Sequence, residues 1–453
     1  MKLSGRFSFV FAVLVAAGGC ADDNGAAPGT VDRELREVIA ERGITVPDPG
    51  PSHDPTRVEL GRFLMFDKIL SGNKDISCAT CHHSLLRTGD GLPVSIGTGG
   101  RGLGPLRVRG EDRPFIPRNA PELFVRGSPE WRTMFWDMRV AGDPETGFST
   151  PAGEHLPPGL ESLLAAQAMF PVTSRDEMRG RPGDLAVDGE PNELATISDD
   201  DLPAIWDALM ARLLSVEEYR ELFAAAYPDL PTEQLGFQHA ANAIAAFEAT
   251  AWALLDSPWD RYLQGDDDAL PESAKRGALL FFGKARCSNC HAGSLFTDQQ
   301  AHNLAVPQVG PGKGAEAPLD FGRGRETGRL EDRYAFRTPP LRNVAVTGPW
   351  MHDGAFSTLE SAVRHHLDPR ASLLGYDPAS HLPPELVDTF QDDPDLLEEM
   401  LSLLDEELRE PPVLDESEIA DLLTFLEALT DPAALDLSED IPERVPSGLP
   451  VAD

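Results

Sequence analysis

The sequence predicts an all-α chain of two domains, each built around the same short motif, and three observations support this. The stretches "ELGRFLMFDKILSGNKDISCATCH" and "AKRGALLFFGKARCSNCH" share a glycine, an apolar helical run and then Cys-x-x-Cys-His. Near the end, "DESEIADLLTFLEALTD" spaces Ile419, Leu422, Leu423, Phe425 and Leu426 as one helical face. A chain of 453 residues is also long enough for two or three domains with a sizeable core.

The elements follow in order. Lys2 and Arg6 precede an apolar run, Phe7 to Ala17, then Gly18, Gly19 and Cys20. A basic start, a short apolar stretch and small residues predict a secretory signal, and the run is too short to span a bilayer. Small residues directly before a cysteine resemble a bacterial lipoprotein cleavage site, although Ala17 stands where leucine is usual. Residues 1–20 are therefore read as a signal/lipoprotein segment, cleaved before Cys20 to leave a periplasmic protein anchored through that acylated cysteine. Residues 21–54 form a Pro/Gly/Asp-rich leader expected to act as a mobile tether. The N-terminal domain is assigned to 55–265 and the C-terminal domain to 266–430, with an aperiodic tail over 431–453. The polar stretch 180–203 and the Gly/Pro/charge-rich stretch 307–328 read as surface loops. A formal charge of -36 argues against nucleic acid and against electrostatic attachment to anionic lipid.

Cysteine usage narrows the chemistry. Of five cysteines, Cys20 belongs to the signal region and the other four form two Cys-x-x-Cys-His units: Cys78, Cys81, His82 and Cys287, Cys290, His291. None is left for a disulfide framework, although an exported protein could use one. A redox dithiol needs no following histidine. A shared zinc site would have to unite pairs about two hundred residues apart, against ribbon spacings of roughly fifteen to twenty. Cys-x-x-Cys-His is the attachment pattern of c-type haem: the two thiols bond the porphyrin and the histidine is held against the iron. Two covalent c-type haems are expected, one per domain.

Residues 55–430 resemble the bacterial di-haem cytochrome c peroxidase superfamily, which includes the MauG-like enzymes. The resemblance is carried by "ISCATCH", "SIG", "RNAPEL", "FWDMR", "QAMFPVTSRDEM", "CSNCH" and "FRTPPLRNVAVTGPWMHDGAFSTLESAV". It implies two all-α cytochrome domains, with peroxide reacting at the N-terminal haem. Gln167, Pro171 and Glu177 match the family's peroxide pocket, in which the glutamate moves protons. Heterolysis of an O–O bond needs such a group, and a positioned carboxylate is worth about 10²–10⁴-fold. Trp136 matches a tryptophan between the haems that relays electrons; the family's "WDGR" is "WDMR" here. Asn119, Thr347 and Pro349 match a calcium site at the domain boundary.

The sequence departs from that pattern twice. In the family's peroxidases the loop matching "SIGTGG" carries a histidine that caps the first iron until reduction displaces it; here that position is Thr98. An open resting iron is implied, closer to the MauG-like branch, with the adjacent His83 read as a hydrogen-bond partner rather than a replacement ligand. At the second iron the family places methionine, or tyrosine in the tryptophan-oxidising branch. Counting from His352, the matching position is His366. A capping box at Ser357 and Glu360 would start a helix on which Leu359, Ala362, Val363 and His366 share a face. Ligation by His291 and His366 is expected, with Met351 the lesser choice. The function implied is reduction of hydrogen peroxide with electrons from a small cytochrome c or cupredoxin. The alternative is MauG-like oxidation of tryptophan or other aromatic residues on a partner protein, and a plain electron-transfer cytochrome ranks third.

Overall fold

The glycine shared by the two repeats sits where helices cross. Helix Pro55–Phe66 packs on helix Phe237–Ala251, and a Cβ on Gly61 would lie 1.8 Å from the Ala243 carbonyl oxygen and 2.9 Å from Phe247 Cβ. Helix Glu272–Phe282 packs on helix Glu416–Glu427 in the same way, with a Cβ on Gly277 falling 1.9 Å from the Asp421 carbonyl oxygen and 2.9 Å from Phe425 Cβ. Only a residue without a side chain lets these backbones meet. Leu60, Leu64 and Phe66 then fill one core, and Ala278, Phe281 and Phe282 the other. Each fully buried Leu or Phe contributes roughly 1.5–3 kcal/mol.

The structure is a computed structural model that describes residues 29–452; the signal segment and Cys20 lie outside the described residues. The expected closing helix is present over Glu416–Glu427, started by a capping box of Asp415 and Glu418. It buries Ile419, Leu422, Phe425 and Leu426, while Leu423 is half-buried. Its counterpart in the first domain, Phe237–Ala251, is buried along most of its length.

The terminal segments differ from expectation. Residues 30–42 are no free tether: Thr30–Arg42 is a helix that buries Val31, Leu35 and Ile39 and packs on Glu272–Phe282 of the second domain. Lys275 Nζ reaches Asp32 at 2.8 Å, and the Tyr262 hydroxyl donates to the same carboxylate at 3.1 Å. The tail beyond 430 holds only short 3-10 turns among the described residues and returns to the first domain, where Ala434, Leu437 and Val445 enter the core. Trp252 donates its indole N–H to Asp440 at 2.9 Å, and the Ser447 hydroxyl donates to buried Asp67 at 2.6 Å. Each end of the described chain thus packs on the domain farther from it in sequence.

The change of core comes between Leu255, packed on the first cluster, and Trp259, buried in the second, some residues before the expected boundary at 265. The fold is mostly helical rather than all-α, because the described residues include five short strands in two small antiparallel sheets. One joins Thr133–Met134, Val140–Asp143 and Gly147–Ser149; the other pairs Ala301–Asn303 with Ala335–Arg337. The stretch 180–203 is largely exposed, as expected for a loop, but 307–310 is buried and Gly310 abuts Val94 of the first domain. This stretch is a contact between domains rather than a surface loop. Its glycines and prolines permit tight turns, and the sequence does not reveal what those turns meet.

Candidate active site

In the first motif, Cys78–Cys81 forms one helical turn capped by Ser77 and Thr80. His82 follows immediately, and its Nδ1 lies 3.0 Å from the Thr88 carbonyl oxygen. A carbonyl only accepts, so Nδ1 carries the proton and Nε2 keeps its lone pair for a metal. The second motif repeats this, with His291 Nδ1 at 3.1 Å from the Phe296 carbonyl oxygen. Burial pushes both imidazoles down to about 4, with His366 adding to the effect at His291, which keeps the rings neutral as metal ligation requires. His83 is buried and accepts the Leu85 N–H at 3.1 Å, in keeping with a hydrogen-bonding role.

Cys78, Cys81 and His82 line a cavity of about 180 Å³ together with Gln167, Pro171 and Glu177. The residues grouped through the family pattern therefore do converge. Glu177 sits on a π-turn, Arg175–Arg179, clamped from both sides by backbone. Gly72 N–H donates to the Met178 carbonyl at 2.8 Å and Thr98 N–H to the Glu177 carbonyl at 2.9 Å. A Cβ on Gly72 would lie 1.9 Å from the Arg179 carbonyl oxygen, and one on Gly97 1.8 Å from that of Asp176. Burial raises the Glu177 carboxyl above its ordinary value, opposed by Arg139 and Lys313. Thr98 itself is buried and does not line this cavity: its hydroxyl donates to Asp75 at 2.8 Å and accepts from Asn73 at 2.9 Å. Among the described residues His82 is the only histidine lining it.

The second cavity, about 210 Å³, is lined by Cys287, Cys290, His291, Met351, His352 and His366. Helix Leu359–Leu367 starts at Thr358, whose hydroxyl caps Ser361, one residue later than the expected Ser357–Glu360 box. The inward face is as expected: His366 meets His291 with ring centroids 6.0 Å apart. His366 Nδ1 lies 2.8 Å from the Ala362 carbonyl oxygen, so its Nε2 is also left for a metal. His365 turns elsewhere, to the Leu304 carbonyl and the Ser372 hydroxyl.

Trp136 and Asn119 line both cavities, and the Trp136 indole N–H donates to the Asn119 carbonyl at 3.0 Å. Thr347 and Pro349 line the second cavity. The Asn119 amide nitrogen is committed to the Leu92 carbonyl at 2.8 Å, and the trio offers no carboxylate. Calcium favours six to eight oxygen ligands, more than these three residues supply from their side chains.

The residues fit haem at both cavities. Each pairs two thiols and an imidazole with its metal-facing nitrogen free, and 6.0 Å between His291 and His366 matches two metal–nitrogen bonds of about 2 Å plus the ring radii. The first cavity also holds buried guanidinium nitrogens without a protein partner, Nη1 of Arg126 and of Arg337, which suit the carboxylates of a porphyrin. Arg337 lines both cavities. Sequence reasoning missed these arginines, as well as Glu248, pushed up to about 8 by burial against the pull of Arg126. A further missed group is His302, whose ring lies between Asp298 at 2.9 Å and Asp405 at 2.7 Å, beside Cys290. Only Arg337, inside the quoted "FRTPP" block, carried any signal.

A family profile described as di-haem cytochrome c peroxidase matches residues 55–268. The methylamine utilization protein MauG of Methylorubrum extorquens is 31% identical over 368 residues, 79% of this chain and 84% of that protein. The cytochrome c551 peroxidase of Pseudomonas aeruginosa is 30% identical over 305 residues, 67% of this chain and 70% of that protein. Among solved structures, a MauG-like protein associated with microbial copper homeostasis superposes with a TM-score of 0.59 at 28% identity, covering 88% of this chain and 96% of that one. With its paired Cys-x-x-Cys-His cavities, the chain belongs to the di-haem cytochrome c peroxidase and MauG family of oxidoreductases.

Proposed function

We propose that the protein is an exported di-haem c-type enzyme that reduces hydrogen peroxide at the first cavity, with electrons entering through the second. The observation that carries this reading is the convergence of Glu177, Gln167 and Pro171 with His82 on one cavity, while His291 and His366 face each other across the other. Haems bonded to Cys78 and Cys81, and to Cys287 and Cys290, would supply redox-active iron held by His82 and by His291 with His366.

The chain's own residues supply positioning and proton transfer. The reaction balances as H₂O₂ + 2H⁺ + 2e⁻ → 2H₂O, with the electrons coming from a small redox protein, a cytochrome c or a cupredoxin. Glu177 carries a proton from one peroxide oxygen to the other, and its raised affinity for protons suits both halves of that transfer. Gln167 orients the substrate and Pro171 closes the apolar wall. Trp136, shared by the two cavities, serves as the electron relay. The basic start, apolar run and Cys20 support export and lipid attachment; among the described residues no helix is long and apolar enough to cross a membrane.

The 31% identity to MauG supports a second reading, peroxide-dependent oxidation of aromatic residues on a partner protein. Steady-state consumption of peroxide with a reduced cytochrome c or cupredoxin separates the two. Rapid turnover supports the peroxidase; its absence, with oxidation of a partner's tryptophan, supports the modifying enzyme.

A further inference from the structure

Two side chains lining the first cavity, Lys313 and Arg337, come from the second domain. Lys313 lies in "VGPGKGAEAP", where Gly310, Gly312 and Gly314 adopt φ of 82°, 67° and 68°, values that favour glycine. A Cβ on Gly312 would fall 2.2 Å from the Pro318 carbonyl carbon, and Lys313 N–H donates to the Leu319 carbonyl at 2.9 Å. The loop is thereby closed tightly and aimed back at the first domain, where Lys313 lines the cavity with His82, Gln167, Glu177 and Arg139.

The charges around Lys313 differ in how firmly they are held. Asp137, fully buried, is bonded by Arg118 at 2.6 Å, by Arg139 at 2.9 Å and by Lys313 at 3.3 Å. Arg118 is also held by Asp320 through two bonds, 2.7 and 2.9 Å. The other charged groups lining the cavity are Glu177, Glu248, Arg126 and Arg337, of which Glu177 interacts with Lys313. Arg118 and Arg139 are locked in short pairs, whereas Lys313 has one long contact and an ammonium with three donors. Burial, reinforced by Arg118 and Arg139, lowers Lys313 to about 8, against the pull of Asp137 and Asp320.

We propose that Lys313 is a catalytic residue of the first cavity, supplied by the second domain, whose ammonium holds a small anionic oxygen or halide ligand and stabilises the leaving oxygen of peroxide. The proposal rests on the peroxide reading above. When the O–O bond breaks, its electron pair moves to the leaving oxygen, which becomes hydroxide until Glu177 delivers the proton it took from the other oxygen and water departs. The two electrons entering through the second cavity, with two protons, reduce that other oxygen to the second water. A cation already inside a largely apolar cavity is worth most at that moment. A flexible point charge such as lysine can follow the departing oxygen, which the paired arginines cannot do.

The test uses the full-length ferric holoprotein with fluoride as the probe, followed by absorbance. Lys313→Met and Lys313→Gln should weaken fluoride binding about ten-fold or more, and Lys313→Arg should restore most of it, with haem content unchanged in all three. Peroxide reaction rates should follow the same order. Unchanged fluoride affinity in both neutral variants, or loss in Lys313→Arg equal to that in Lys313→Met, would overturn the proposal. A wild-type protein that binds no fluoride would instead overturn the open first site, and this proposal with it, so the two failures are distinguishable.

Discussion

The imidazoles of His291 and His366 face each other with ring centroids 6.0 Å apart, each with Nδ1 tied to a backbone carbonyl and Nε2 left over. An iron held by both of these neutral nitrogens would be low-spin. The ferric holoprotein should show one low-spin haem without a thioether-to-iron charge-transfer band. His366→Met should create that band and raise the potential of the second haem, because methionine favours the reduced iron. A thioether band already present in the wild type would assign the ligand to Met351 instead.

At the first haem, coordination and proton transfer are separable. Glu177→Gln keeps the volume and hydrogen-bonding shape but cannot exchange the proton. Haem content and both spin states should survive, while stopped-flow reaction with peroxide slows by roughly 10²–10⁴-fold.

Gly97 tests whether placement of that carboxyl matters. A Cβ there would lie 1.8 Å from the Asp176 carbonyl oxygen, a backbone atom with little freedom to move. Gly97→Ala should push the Glu177 turn away and slow the peroxide reaction by about 10²-fold, the usual cost of a 1 Å displacement. Gly283→Ala, where a Cβ would meet the Leu279 carbonyl oxygen at 2.9 Å in the other domain, serves as the control and should leave that rate unchanged.

The His302 imidazole lies between two carboxylates, and Asp298 followed by Asp405 raises it to about 12. A histidine whose folded value lies above its unfolded 6.5 stabilises fully below that pH, and the contribution is lost as pH rises toward the folded value. His302→Gln should therefore lower the melting temperature by a few degrees at pH 6, and the gap to wild type should narrow steadily by pH 9. A gap that widens with pH would mean the ring is neutral.

Covalent attachment is checked by mass. The holoprotein should carry two haems, and Cys287→Ala should lose or loosen only the second while the first keeps its spectrum. A haem-free, zinc-containing product from a haem-competent host would overturn the reading of both motifs.

The sequence by itself determined the parts that are local or duplicated. Cys78 to His82 and Cys287 to His291 are read directly because both thiols and the histidine must fall within one turn, and the face ending at His366 is legible because a helix repeats every 3.6 residues. Gln167, Pro171 and Glu177 could be named only through the family's spacing, since nothing in their own periodicity marks them. The tertiary structure alone decided what distant segments do to one another. It turns Thr98 toward Asp75 and uses its amide to hold Glu177, brings Lys313 across from the second domain, and sends each end of the described chain to the domain farther from it. It also shows why the repeats share a glycine: Gly61 and Gly277 lie where another helix's backbone leaves no room for a Cβ. The physical reason is the same in each case. Turn and helix patterns follow from neighbours in the chain, whereas close approach, charge pairing and cavity lining depend on atoms distant in sequence, which a linear sequence records only as an unexplained glycine, arginine or lysine.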